Sequence, residues 1–223
     1  MVLATAPDLS GSSSDRGLGQ QLEEIFAEAR RQGHIGPAAL REQLEHSSAF
    51  AALVKETGGD APTLVDIGSG GGLPGLVLAA AMPSASVTLL EGSSRRAAWL
   101  RLAIADLRLP NEVVVVGLRA EEAAHREEMR GRFDIVTARA FGSPAVTAEC
   151  AAGFLRVGGR LVVSEPPAAA PERWPAGPLE ELGLGEPARR AMAGRSFAVL
   201  VCKEPTPARF PRRTGIPAKR PLF

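Results

Sequence analysis

The 223-residue sequence predicts an α/β fold of the Rossmann-like kind, a mostly parallel, doubly wound sheet with an antiparallel final strand and a small N-terminal helical cap. Three observations predict it. From Thr63 onward, short and almost uninterrupted apolar runs alternate with helical segments, as in a parallel sheet covered on both faces. A turn rich in glycine follows the first of those runs. An acid, Glu91, ends the second, at the edge where open α/β sheets bind their ligands.

The elements follow in order. Residues 1–17 are rich in Ser, Gly, Asp and Pro and read as a disordered leader. "LGQQLEEIFAEARRQG" sets Leu18, Leu22, Ile25, Phe26 and Ala29 at helical spacing, with Gly33 as a stop. A second helix begins after Pro37 and ends near Gly58, which completes a helical cap over 18–58. Strands are then expected at "TLVDIG", "SVTLLEG", "EVVVVG", "FDIVTARAF" and "GGRLVVSEP". Helices lie between them at "PGLVLAAAM", "SRRAAWLRLAIADLRL", "RAEEAAHREEMR" and "SPAVTAECAAGFL". Residues 166–188 read as an irregular excursion, and "RSFAVLVCKE" as one last, antiparallel strand of a sheet domain over 59–205. The tail over 206–223 is basic and proline-rich, and no regular structure is expected of it.

Composition narrows the function classes. The chain is 45% hydrophobic and 23% charged, with a formal net charge of +1, so a nucleic-acid surface has to be local. Cys150 and Cys202 sit in apolar runs and read as buried core thiols. No run of apolar residues is long enough to span a bilayer, and the first residues lack the pattern of a signal peptide. A cytoplasmic location without membrane contact is expected.

"VDIGSGGGLPG" carries the chemistry. Its glycines let the backbone turn tightly and approach a ligand without a Cβ in the way. A P-loop needs Gly-Lys-Ser/Thr, and no lysine occurs between Lys55 and Lys203. A dinucleotide fingerprint can be forced onto Gly70, Gly72 and Gly75, but alone it is a weak match. The better fit is Asp-x-Gly-x-Gly-x-Gly at Asp66, Gly68, Gly70 and Gly72, the arrangement with which methyltransferases hold the amino-acid part of S-adenosylmethionine. Glu91 is then placed to accept hydrogen bonds from a ribose. It would serve a dinucleotide equally, and loop capping is the structural alternative for both acids. Arg139 ends an apolar strand at the same edge, where a charge needs either a function or a salt bridge. Arg95 and Arg96 open a helix, the unfavourable end for cations, and read as RNA phosphate contacts or as a solvated face.

In order, "VDIGSGGGLPGL", "LLEGSSRRAAWLR", "LRAEEAA", "FDIVTARAF" and "FPRRTGIPAKRPL" resemble the RsmG (GidB) family of bacterial 16S ribosomal RNA guanine-N7 methyltransferases. The likeness covers about residues 35 to 223, and the tail is most similar to actinobacterial members. The resemblance implies a class I methyltransferase that uses S-adenosylmethionine and acts on 16S ribosomal RNA or the small ribosomal subunit, as a monomer and without a metal. It sets Gly68 and Leu73 on the cofactor loop and Ala120 and Glu121 beside the adenine. It makes Arg139 a catalytic and cofactor-binding arginine, and it matches Arg95 and Arg96 to a basic pair after the ribose acid. Phe141 is the preferred stacking partner for a base, and Arg212 and Arg213 are the tail's RNA-binding candidates. Two departures stand out. The family's lysine past the fifth strand is replaced in Ser164–Glu165, an exchange of cation for acid that would repel phosphate near an RNA path, and His46 lacks the neighbours of the family's histidine.

Guanine N7 carries a free lone pair, so its methylation needs no general base; holding the two partners together suffices. The three histidines, His34, His46 and His125, show no metal spacing. Two alternatives remain open at this point: a diverged methyltransferase acting on a small molecule or another RNA, and a catalytically silent cofactor-binding module that interacts with RNA.

Overall fold

The computed structural model describes residues 13–166 and 171–223. Two helices, α1 (Ser13–Arg31) and α2 (Leu40–Gly58), precede β1 (Thr63–Ile67), α3 (Gly75–Ala81), β2 (Ser86–Leu90), α4 (Ser94–Leu107) and β3 (Val113–Val116). The chain continues through α5 (Ala120–Ala123), β4 (Phe133–Ala138), α6 (Pro144–Ala152), β5 (Leu155–Glu165) and α7 (Ala176–Glu181). It closes with β6 (Ala188–Met192), β7 (Arg195–Val201) and α8 (Ile216–Lys219).

The sheet order is β3-β2-β1-β4-β5-β7-β6. The first five strands run parallel, and β7 pairs antiparallel with both β5 and β6. The chain winds outward from β1 to β3 and returns to β4 on β1's other side, which creates a switch point between β1 and β4. Each face of the sheet buries its own apolar layer. Alternation along β1 sends Leu64 into the layer under α1–α4, and Val65 and Ile67 into the layer under α5–α7. Asp66 falls between Val65 and Ile67, so its side chain lies on the Leu64 face, in register with Leu89 on one side and Thr137 on the other.

Four local expectations are corrected. Residues 1–12 of the expected leader lie outside the described residues, whereas 13–17 already belong to α1. The helix expected over "RAEEAAHREEMR" shortens to α5. The sheet ends in two antiparallel strands, because β6 follows the excursion and turns into β7 at Ala193–Gly194, both with positive φ. Its residues are almost all exposed, so an edge strand here carries no alternating apolar signal. The tail is docked, and it ends in the single helical turn of α8.

Docking of the tail follows from the chemistry of proline. A Pro-rich segment has few amide donors, so its carbonyls need outside partners. Arg130 supplies them, donating to the carbonyls of Thr206 (2.8 Å), Pro207 (3.0 Å) and Phe210 (2.9 Å). Glu149 of α6 is fully buried, and its carboxylate accepts from the Arg212 amide (2.8 Å), Nε (2.8 Å) and Nη2 (2.6 Å). Both cysteines are buried, as expected.

Arg212→Ala leaves the Glu149 carboxylate buried without its cation. A loss of about 3 kcal/mol is expected, near the lower end for a buried pair because Arg212 keeps a wet edge. Urea denaturation measures it, together with faster amide exchange over 206–223; an unchanged midpoint contradicts the staple.

Candidate active site

The loop leaving β1 is bound to the end of β2 before any ligand is considered. The amides of Gly68 and Ser69 donate to the Leu90 carbonyl at 2.8 and 3.1 Å, and the Ser69 hydroxyl to the Asp66 carbonyl at 2.8 Å. Gly68 has φ +67°, and a Cβ there would lie 2.6 Å from the Phe141 ring, so the site requires glycine twice over. At Gly75 a Cβ would lie 2.4 Å from Leu89 and 2.7 Å from Asp66 Oδ2, so α3 can only seat itself this close without one.

Asp66 lies beneath the loop, 1% exposed, with Oδ1 accepting from the Thr137 hydroxyl at 2.8 Å. Burial pushes its carboxyl up to about 6, against the pull of the Thr137 hydrogen bond. Glu91, 4% exposed at the end of β2, reaches across to the same loop. One oxygen accepts from the Gly70 amide at 2.9 Å; the other takes the Ser93 amide at 2.7 Å and Arg96 Nε at 3.2 Å. An added Cβ at Gly70 meets nothing nearer than 3.8 Å, so the backbone that Glu91 holds is less crowded there than at Gly68, Gly71 or Gly72.

The cap closes one side. Ile35 and the His34 carbonyl press on Gly71, and Arg95 donates to the Gln32 carbonyl at 2.6 Å. Arg139, just past β4, reaches into α2, with Nη2 3.2 Å from Gln43 Oε1 and Nη1 3.2 Å from Ser47 Oγ. Beside it a cavity of about 380 Å³ opens at the ends of β4 and β5, lined by His46, Arg139, Phe141, Thr147, Glu165 and Trp174. Burial, reinforced by Arg139 and Arg195, pulls His46 down to about 4, so the imidazole is neutral near pH 7. Its ring stacks on Phe50 with centroids 5.6 Å apart. Phe141 touches the Gly68 turn and lines the cavity, so it joins the two spaces.

A family model described as rRNA small subunit methyltransferase G, GidB, matches residues 36–167. The chain belongs to that family. Relatives bearing the name Ribosomal RNA small subunit methyltransferase G agree. The protein of Roseiflexus castenholzii is 40% identical over 74% of this chain and 73% of its own length. That of Leuconostoc citreum is 30% identical over 91% and 89%, and that of Rubrobacter xylanophilus 37% over 71% of this chain but only 64% of its own length. Among solved structures, an O-methyltransferase from Bacillus cereus in complex with SAH superposes with a TM-score of 0.59 at 18% identity, covering 82% of this chain and 91% of that one. A SAM-dependent O-methyltransferase from Thermotoga maritima gives 0.55 at 15%, over 81% and 71%. At such identities the likeness is one of fold: a Rossmann-like methyltransferase fold with a mostly parallel sheet.

Against the expectations drawn from the sequence, Asp66, Gly68, Gly70, Gly72 and Glu91 come together at the ends of β1 and β2, while the Leu73 side chain packs into the apolar layer beneath the cap. Ala120 and Glu121 open α5 one strand further out, and Glu121 accepts from the Gly215 amide of the tail at 2.9 Å. Three cations expected to meet RNA phosphate already have protein partners: Arg95 holds Gln32, Arg96 pairs with Glu91, and Arg212 pairs with Glu149. Arg213 is exposed. Gln43, Ser47 and Thr137 escaped notice, although polar residues on a buried helix face or inside an apolar strand are the signal that would find them. No group of three or more His, Cys, Asp or Glu suited to a metal occurs among the described residues.

A carboxyl with a raised native pKa stabilises the fold most below its unfolded value, near 3.8, and loses that contribution as pH climbs through about 6. Asp66→Asn abolishes this titration. The variant's Tm, measured relative to the wild type, is therefore expected to rise from about pH 4 to about pH 7; a difference independent of pH contradicts the assignment.

Proposed function

We propose that this chain transfers a methyl group from S-adenosylmethionine to N7 of a guanine in 16S ribosomal RNA, in the cytoplasm. The observation that carries the reading is the buried Glu91 carboxylate joined to the glycine turn at Gly70, with a cavity lined by Arg139 and Phe141 past the neighbouring strand β4. The residues present fit the cofactor. The loop lacks a Cβ where a ligand must come close, and a carboxylate stands where two ribose hydroxyls need an acceptor.

When bound, S-adenosylmethionine supplies a methyl on a sulfonium: the N7 lone pair forms the new C–N bond, the C–S bond breaks, and its electron pair stays on sulfur. The chain's own part is to hold and to exclude. Glu91 grips the ribose, the Gly68–Gly72 backbone takes the amino-acid end, and Asp66 steadies that loop from below, its carbonyl taking the Ser69 hydroxyl and its carboxylate the Thr137 hydroxyl of β4. Ala120 and Glu121 border the adenine. Arg139, held in place by Gln43 and Ser47, and Phe141, a flat apolar face for the base, stand between cofactor and acceptor. His46 is neutral and no proton has to leave N7, so the site needs no base.

RNA phosphate would be met by the exposed cations of the tail, Arg209, Arg213, Lys219 and Arg220. The acid at 165, which on sequence grounds opposes an RNA path, has its charge matched by Arg173 at 3.1 Å.

Incubation with labelled S-adenosylmethionine and small ribosomal subunits lacking the modification should place label in 16S RNA as 7-methylguanosine. Cofactor binding without incorporation into any RNA would sink the proposal. Glu91→Gln is expected to weaken cofactor binding about 10- to 100-fold in calorimetry, the range for a hydrogen bond to a charged group. Unchanged affinity removes Glu91 from the ribose site.

A further inference from the structure

One group in the acceptor cavity is left without a role by this reading. Glu165 closes β5 with a side chain only 6% exposed, and burying a carboxylate there is costly unless it is satisfied. Two donors satisfy part of it: Trp174 Nε1 reaches Oε1 at 3.2 Å and Arg173 Nε reaches Oε2 at 3.1 Å. An ionised carboxylate offers about four lone-pair sites, so about two remain. Both donors come from the segment that returns to line the cavity, and Glu165 lines it too.

We propose that the Glu165 carboxylate reads the Watson–Crick edge of the acceptor guanine, accepting from its N1–H and its exocyclic amine. The inference rests on the methyltransferase reading above and adds to it the group that selects the base. Guanine alone among the RNA bases presents those two adjacent donors; adenine offers an acceptor at N1, which a carboxylate repels. Orientation agrees as well. N7 lies on the other side of the purine, so a base held through N1 and the amine leaves N7 pointing away from Glu165. In the sheet order β1-β4-β5, the Gly68 turn and Glu165 flank the end of β4 from opposite sides. They stand two strand spacings apart, about 10 Å, which a purine with a hydrogen bond at one edge and an incoming methyl at the other fills. Phe141, at the end of β4, offers its ring between them. Arg173 aims one carboxylate oxygen, and Trp174 fixes the other.

The test uses an RNA fragment of the small subunit carrying, at the mapped methylated position, either guanosine or inosine, which lacks the exocyclic amine. For the full-length wild type, inosine should lower both kcat/KM and equilibrium binding in the presence of S-adenosylhomocysteine by about tenfold or more. Glu165→Gln should be weak on guanosine and suffer little further loss on inosine, while Glu165→Asp restores discrimination in part. Melting and cofactor calorimetry check that the variants are folded. Absence of an inosine penalty in the wild type overturns the proposal whatever the variants do, and so does the same penalty in folded wild type and Glu165→Gln. A wild type that methylates no RNA overturns instead the reading beneath it.

Discussion

A carboxylate 4% exposed at the mouth of a parallel sheet is a constraint before it is a function. Glu91 has to be satisfied, and the nearest donors are backbone amides, at Gly70 and Ser93, on the two loops that leave β1 and β2. Accepting from both ties the loops together and holds the glycine turn in one shape. The glycines themselves cannot provide this order, because their conformational freedom favours the unfolded chain. Rigidity at the crevice therefore comes from the acid, and from Asp66 below, rather than from the motif's most conspicuous residues. The two amides and Arg96 fill three of the carboxylate's about four acceptor sites, so one ribose hydroxyl takes the remaining site and the other displaces Arg96, the longest and most exposed of the three contacts.

The helical cap belongs to the same arrangement. Arg95 opens α4, the end of a helix dipole that disfavours a cation, yet it points at the Gln32 carbonyl just past the C-terminus of α1, where a cation is favoured. Arg139 makes the corresponding link from β4 into α2. The cap is thus fastened past β2 and past β4, on either side of β1 and its glycine turn, and His46 of α2 lines the cavity beside β4 in its neutral state. What reads in sequence as an appendage is a wall of the site.

The legible parts were local in sequence. Asp66, Gly68, Gly70 and Gly72 fall within seven residues, and Glu91 ends the next strand, so spacing alone grouped the residues that fold together at the ends of β1 and β2. Partners brought together by folding were not legible. Arg212 lies 63 positions from Glu149, and nothing in "FPRRTG" says that one arginine is half-buried on that carboxylate while the next is exposed. Arg96 likewise reads as a free cation until Glu91 appears beside it. β6 was missed because an exposed edge strand has no buried face to impose a period of two. Glu165 was read as an acid in the path of a phosphate; only the fold shows it turned inward, with Arg173 and Trp174 on its oxygens.

The central claim is that the bare turn after β1 and the carboxylate after β2 form one ligand seat. A crystal structure of the protein with S-adenosylhomocysteine measures it directly. The account predicts both ribose hydroxyls on Glu91, the amino-acid end against the backbone of Gly68 to Gly72, and the sulfur facing the cavity bordered by Phe141. A ligand bound elsewhere, or a ribose held without Glu91, would contradict it.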